Sequence, residues 1–134
     1  MNATSITTHL GDVRCQSIFT PSKEEFFTDI ETAAGGKGEY PCPADMLAAT
    51  VASCMLSMMA WTGKKHGFDT RGISIAAQAE EKGGKLTALH FHITVPQNVD
   101  GGTRLHLEAA VKHCPVGNAL SSSIEKHITW DVAG

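Results

Sequence analysis

What the chain lacks narrows its class. No two of its four cysteines (Cys15, Cys42, Cys54 and Cys114) stand at C-x-x-C spacing, and 134 residues do not need disulfides to fold, so neither a zinc ribbon nor a disulfide framework is indicated. There is no block of like charge: eleven Lys and Arg face fourteen Asp and Glu, a formal net charge of −3, which points away from nucleic acid and anionic membrane as partners. The opening MNATSITTHLGD has neither a basic n-region nor an apolar h-region, which argues against a signal peptide. A cytoplasmic, reducing location is the expectation. No internal repeat and no composition shift divides the chain, and 42% hydrophobic content suits one soluble domain over residues 1–134.

What is present is one long apolar stretch, PCPADMLAATVASCMLSMMAW, residues 41–61. Pro43 suits a first helical position because its missing N–H would be unpaired there, and Asp45 puts a carboxylate in the first turn, where the helix dipole favours it. Lys64, Lys65 and His66 followed by Gly67 form a stop signal. The predicted helix spans roughly 30 Å and is apolar nearly all round, so it needs cover on every side. Its length raises the question of a membrane span, but Ala, Thr and Ser run through it and no second segment resembles it, so a core helix is expected. Cys54 sits at its centre. A free cysteine on a helix is by default inert packing, and Met46, Met55, Met58 and Met59 are by default core filling, though thioethers also accommodate varied alkyl groups.

Before the helix, residues 5–10 and 13–20 are rich in β-formers around a Gly11-Asp12 turn, and FFTDI (residues 26–30) is a third predicted strand. After it, Ile73, Ile75, Ala77 and Ala79 alternate with polar neighbours. Beyond the turn Lys82-Gly83-Gly84-Lys85, Leu89, Phe91, Ile93 and Val95 face inward while His90, His92 and Thr94 face outward, completing an antiparallel hairpin. Asp100 or Thr103 can cap a second helix in which Leu107, Val111 and Cys114 share a face. Pro115 ends it and can open a short helix over residues 116–121, which would put Cys114 at a helix N-terminus, where backbone N–H groups lower a thiol's pKa. A final strand, residues 128–132, is expected to bury Ile128, Trp130 and Val132. The order β-β-β-α-β-β-α-β predicts an α+β fold of antiparallel strands.

These residues resemble the family of osmotically inducible protein C and the organic hydroperoxide resistance proteins (OsmC/Ohr). The resemblance rests on Pro43-x-Asp45-x-Leu47-x-Ala49 leading to Cys54, then the hairpin, then Cys114-Pro115-Val116 with Asn118-Ala119-Leu120. Lys37-Gly38-Glu39 and Ala52-Ser53-Cys54-Met55 look more like an OsmC-like branch than Ohr proper. The resemblance implies a thiol-dependent peroxidase acting on organic hydroperoxides, built as an intertwined homodimer with antiparallel sheets around the long central helices and with no cofactor or metal. In that scheme Cys54 attacks the peroxide and becomes a sulfenic acid, Cys114 condenses with it, and an external dithiol reduces the disulfide.

A mid-helix thiol cannot gain activation from a helix N-terminus, so a cation must come from elsewhere. Of three arginines, Arg14 lies in the region from which the family supplies its catalytic arginine, whereas Arg71 and Arg104 look solvent-facing. The family's peroxidase branch carries the partner carboxylate directly after the helix-opening proline. Here that position is Ala44, and the candidate acid is Asp45, one position further on. One helical position turns a side chain by roughly 100°, so the expectation is that Asp45 caps the helix and Arg14 lacks this orienting partner.

Cys15 and Cys42 are assigned no role. His90 and His92 have a spacing that can bind metal, but with no third ligand in view the polar-surface account is preferred, and His113 is read as a surface residue at a helix C-terminus. The alternative function is a non-catalytic OsmC-fold module that binds a hydrophobic ligand or senses redox state at the dimer interface.

Overall fold

A computed structural model describes residues 1–133. The chain falls into two compact units, Met1–Met46 and a second from Leu47 onward. The first holds β1 (Ser5–Gly11), β2 (Arg14–Phe19) and β3 (Glu24–Thr28) as an antiparallel meander. Gly11 and Asp12 make the expected turn with φ of 113° and 47°, a left-handed geometry that these two residue types tolerate. β3 starts two residues earlier than FFTDI and stops at Thr28. The chain leaves the ladder at Asp29, whose N–H donates to the Pro41 carbonyl at 3.0 Å. Among the described residues of this unit only Ser17 and Asp29 are buried, while Ile6, Leu10, Phe19 and Phe26 are exposed. The meander has almost no apolar core of its own.

α1 (Pro43–His66) starts in the first unit and runs through the second with the predicted bounds. Gly67, at φ 81°, donates its N–H to the Gly63 carbonyl at 2.8 Å, the left-handed ending that the Lys-Lys-His-Gly sequence signals. Only one stripe of α1 is buried: Ala48, Val51, Ala52, Met55, Met59 and Gly63, at helical spacing. Ser53, Ser57, Ala60 and Trp61 stay exposed, so a single chain does not supply the all-round cover that the apolar composition calls for. By length and composition the helix could cross a membrane, with a mean hydropathy of 1.4. Its buried stripe instead packs into the core of this unit.

β4 (Ser74–Lys82) and β5 (Lys85–Val95) form the expected hairpin, closed by Gly83 and Gly84 at φ 59° and 75°. The inward face of β5 is as expected, while on the outward face His92 is exposed and His90 and Thr94 are half-buried. Leu89, Phe91, Ile93 and Val95 are no more than 2% exposed and join the α1 stripe in the core. β4 is an edge strand, and Ala77, expected to face inward, is exposed. α2 (Gly101–Lys112) is capped by Asp100, whose carboxylate accepts from the Thr103 N–H at 2.7 Å, and it contributes Leu107, Ala110 and Val111 to the core. α3 (Pro115–Asn118) is shorter than the predicted residues 116–121.

β6 (Glu125–Val132) corrects the expectation of wholly antiparallel strands, because it runs parallel to β5, from Ala88↔Glu125 to Val95↔Val132. The cause lies in the connection. A hairpin reverses the chain and gives antiparallel neighbours, whereas α2 and α3 between β5 and β6 form a crossover that returns it to the starting end. β6 is also an edge, which leaves Ile128 at 36% exposure where burial was expected.

Candidate functional site

The second unit brings Cys54 and Cys114 together. Val51 and Met55 of the buried stripe flank Cys54 in sequence, so its side chain lies at the margin of the core, half-buried. Cys114 is 1% exposed and caps α3: it accepts from the Gly117 N–H at 3.4 Å, with Pro115 at the first helical position. Its thiol also points at the Val51 carbonyl, one turn before Cys54, at 3.9 Å, and the Cys54 thiol is near enough to influence its titration.

The placement of Cys114 at a helix N-terminus is as predicted, but the electrostatic outcome is reversed. Burial is the largest influence and pushes the Cys114 thiol up. The Gly117 N–H opposes this, and the hydrogen bond and charge of Cys54 add to the rise. Burial outweighs the capping donor because a single N–H cannot replace the hydration that a thiolate loses in an apolar core. Cys114 therefore holds its proton at neutral pH.

Arg14 and Asp45 lie in the first unit. Arg14 does not lack orienting carboxylates: its guanidinium meets Asp29 at 3.0 Å and Glu39 at 3.3 Å, and lies 4.9 Å from the centre of the Tyr40 ring. Asp29 is 2% exposed and is held by the N–H groups of Ile30 at 2.8 Å, Lys37 at 3.3 Å and Glu39 at 3.4 Å. These donors, the Ile30 N–H foremost, hold its carboxyl below the usual range against the opposing effect of burial, and the Arg14 guanidinium adds to them. Gly36 makes the loop possible, since a Cβ there would run into the Ile30 carbonyl and the Asp29 carboxylate. Asp29 and Tyr40 carry no site role in the sequence reading, and Glu39 enters it only within the Lys37-Gly38-Glu39 stretch. A signal for Asp29 existed, because the β2–β3 register that pairs Cys15 with Thr28 sets Arg14 beside Asp29.

A carboxylate whose pKa is lower folded than unfolded contributes stability above its ordinary titration, near pH ~4, and loses it as pH falls through the folded value. Asp29→Asn is therefore expected to melt below wild type at pH 7, with the gap closing as pH drops below ~4. Denaturation curves of both proteins across that range test this; a gap independent of pH would refute it.

Asp45 accepts a hydrogen bond from Cys42 at 3.2 Å, in the first turn of α1. Burial foremost pushes the Cys42 thiol up; the Asp45 and Ala44 backbone N–H groups oppose it, while the hydrogen bond to the Asp45 carboxylate and its charge add to the rise, so Cys42 stays protonated. His90 pairs with Glu80 at 3.1 Å and stacks on His127, and His92 bonds Thr129 at 2.7 Å. Among the described residues no group of three or more His, Cys, Asp or Glu is placed to hold a metal ion.

A family model described as OsmC-like protein matches residues 36–129. Comparison with curated proteins gives no match. Among solved structures, the chain is similar to a candidate osmotic stress induced and detoxification response protein of Psychrobacter arcticus 273-4, with 27% identity, a TM-score of 0.88 and coverage of 98% of this chain and 97% of that one. It shares its fold with an organic hydroperoxide resistance protein OsmC of Legionella pneumophila, at 19% identity and TM-score 0.75, covering 98% and 99% of the two chains. OhrB of Bacillus subtilis, an organic hydroperoxide resistance protein, has the same fold at 15% identity and TM-score 0.70, covering 98% of each chain.

Proposed function

The chain belongs to the OsmC-like protein family, and we propose that it reduces organic hydroperoxides to alcohols, with Cys54 as the attacking thiol and Cys114 as the resolving one. The observation that carries this reading is the placement of two free thiols in one neighbourhood: Cys114, buried and holding its proton, points at the α1 backbone at Val51, one turn before the half-buried Cys54. In a peroxidase of this kind the Cys54 thiolate attacks the oxygen distal to the alkyl group. The O–O bond breaks, the alkoxide takes a proton and leaves as an alcohol, and Cys54 becomes a sulfenic acid. Cys114 then condenses with it, forming the S–S bond and releasing water. An external dithiol supplies the two electrons that restore both thiols, so the cycle needs no further cofactor. Arg14, oriented by Asp29 and Glu39, is the proposed cation of the reaction.

The working form is proposed to be a homodimer in a reducing, cytoplasmic compartment. In support of the dimer, α1 leaves Trp61 at 61% exposure, and the N-terminal meander exposes Ile6, Leu10, Phe19 and Phe26, large apolar side chains that a second copy would cover.

One equivalent of cumene hydroperoxide is expected to convert the reduced protein to a Cys54–Cys114 disulfide, mapped by peptide mass spectrometry, with Cys15 and Cys42 remaining as thiols. A protein that consumes no peroxide and keeps both thiols would instead fit the ligand-binding module.

A further inference from the structure

We infer that the reductant reaches the oxidised protein through a cleft between α2, α3 and β6 that opens on Cys114, and that this cleft selects small thiols carrying negative charge. The inference rests on the redox-pair reading above. The cleft holds about 280 Å³, and Met55, Val111, Cys114 and Ile128 form its walls with Lys112 and Lys126. A second cleft of about 280 Å³ adjoins it through Val111, Lys112 and Ile128 and extends it to Trp130.

The charges along this groove are unequal. Lys126 is pinned by donating to the Gly117 carbonyl at 2.8 Å, and Lys112 stands exposed in the last turn of α2. Glu108, which lines the second cleft, is paired with Arg104 at 2.9 Å, and Glu125 is hydrogen-bonded to His127 at 3.0 Å. Two ammonium groups therefore flank an apolar slot that ends on a sulfur almost closed to water. That arrangement admits a slender alkyl thiol with an anionic end and disfavours a bulky or cationic one.

The chemistry favours attack from this side. A thiolate that attacks Cys114 Sγ forms a mixed disulfide with Cys114, while the Cys54–Cys114 bond breaks and Cys54 leaves as the thiolate. The second thiol of the dithiol, or a second molecule where the reductant is a monothiol, then attacks the sulfur bound to Cys114. Cys114 is released and takes up a proton, and the reductant departs as its own disulfide, having given up two electrons. Exchange is faster when the leaving thiol is the more acidic, and burial makes Cys114 the poor leaving group. Attack at Cys114 avoids expelling it in the first step.

The test uses protein oxidised by one equivalent of cumene hydroperoxide and freed of excess, at low ionic strength. 3-Mercaptopropionate, 2-mercaptoethanol and 2-mercaptoethylamine are compared by stopped flow, with rates normalised to thiolate concentration. The anionic thiol is expected to react about five- to tenfold faster than the neutral one, with the cationic thiol slowest. Lys112→Glu should abolish the preference and Lys126→Met should reduce it. Lys85→Glu, the same charge change on the β4–β5 turn, should leave it intact. The trapped mixed disulfide should map to Cys114. Equal normalised rates, or a mixed disulfide on Cys54, would overturn the route while leaving the redox pair in place. Failure of peroxide to form the Cys54–Cys114 disulfide would overturn the pair and the route together.

Discussion

Cys54→Ser is expected to reduce dithiol-dependent turnover of cumene hydroperoxide to the uncatalysed rate, a loss on the order of 10³-fold or more, because the hydroxyl that replaces the thiol is neither acidic nor nucleophilic enough. Cys114 cannot take over, since burial keeps it protonated and 1% exposed. Cys114→Ser is expected to behave differently: one equivalent of alcohol in a first turnover, then accumulation of a Cys54 sulfenic acid that dimedone traps. Single- and multiple-turnover assays on the two variants separate the roles. Retained multiple turnover in Cys54→Ser would assign the attack to another thiol and remove the basis of the proposed mechanism.

The second large effect is on stability. Phe91 is 2% exposed at the centre of β5 and is the largest of the fully buried side chains in the core that includes the α1 stripe. Phe91→Ala removes a ring from a packed interior and leaves a cavity, at a cost of about 3–5 kcal/mol. In a chain of this size that lowers the melting temperature by on the order of 10 °C or more. Since Val51 and Met55 of the same core bracket Cys54, the variant is also expected to form the Cys54–Cys114 disulfide more slowly at temperatures where it remains folded. A melting temperature within a few degrees of wild type would show that the core relaxes around the loss.

Much of this arrangement is legible in the sequence, for identifiable reasons. The strict alternation around Leu89, Phe91, Ile93 and Val95 leaves one face for burial, and Pro43, the Lys-Lys-His-Gly ending, Asp100 and Pro115 mark helix ends through local chemistry that does not depend on the rest of the fold. The direction of β6 is not local. It depends on how the intervening helices cross, and its own residues read the same in either direction. The family's motif places the partner of Arg14 at the helix start. Asp29 supplies it instead, held by a loop whose Gly36 and whose backbone donors at Lys37 and Glu39 mean little until the chain is folded. The direction of the shift at Cys114 was missed for a related reason: the cap is written in Pro115, whereas the burial that outweighs it comes from distant segments such as Val51.

The parallel partnership of β5 and β6 also has a consequence in time. Thr129 meets His92 across 37 positions of chain, so closing this ladder carries a larger loop-closure entropy cost than closing the β4–β5 hairpin, and β6 is an edge strand paired on one side only. β6 carries Lys126 and Ile128, one bank of the cleft beside Cys114. On the ribosome, Cys54 is therefore made well before the strand that completes the surroundings of its partner thiol. In the finished protein, brief detachment of that one strand would widen the way to Cys114 while the β4–β5 hairpin and α1 stay in place.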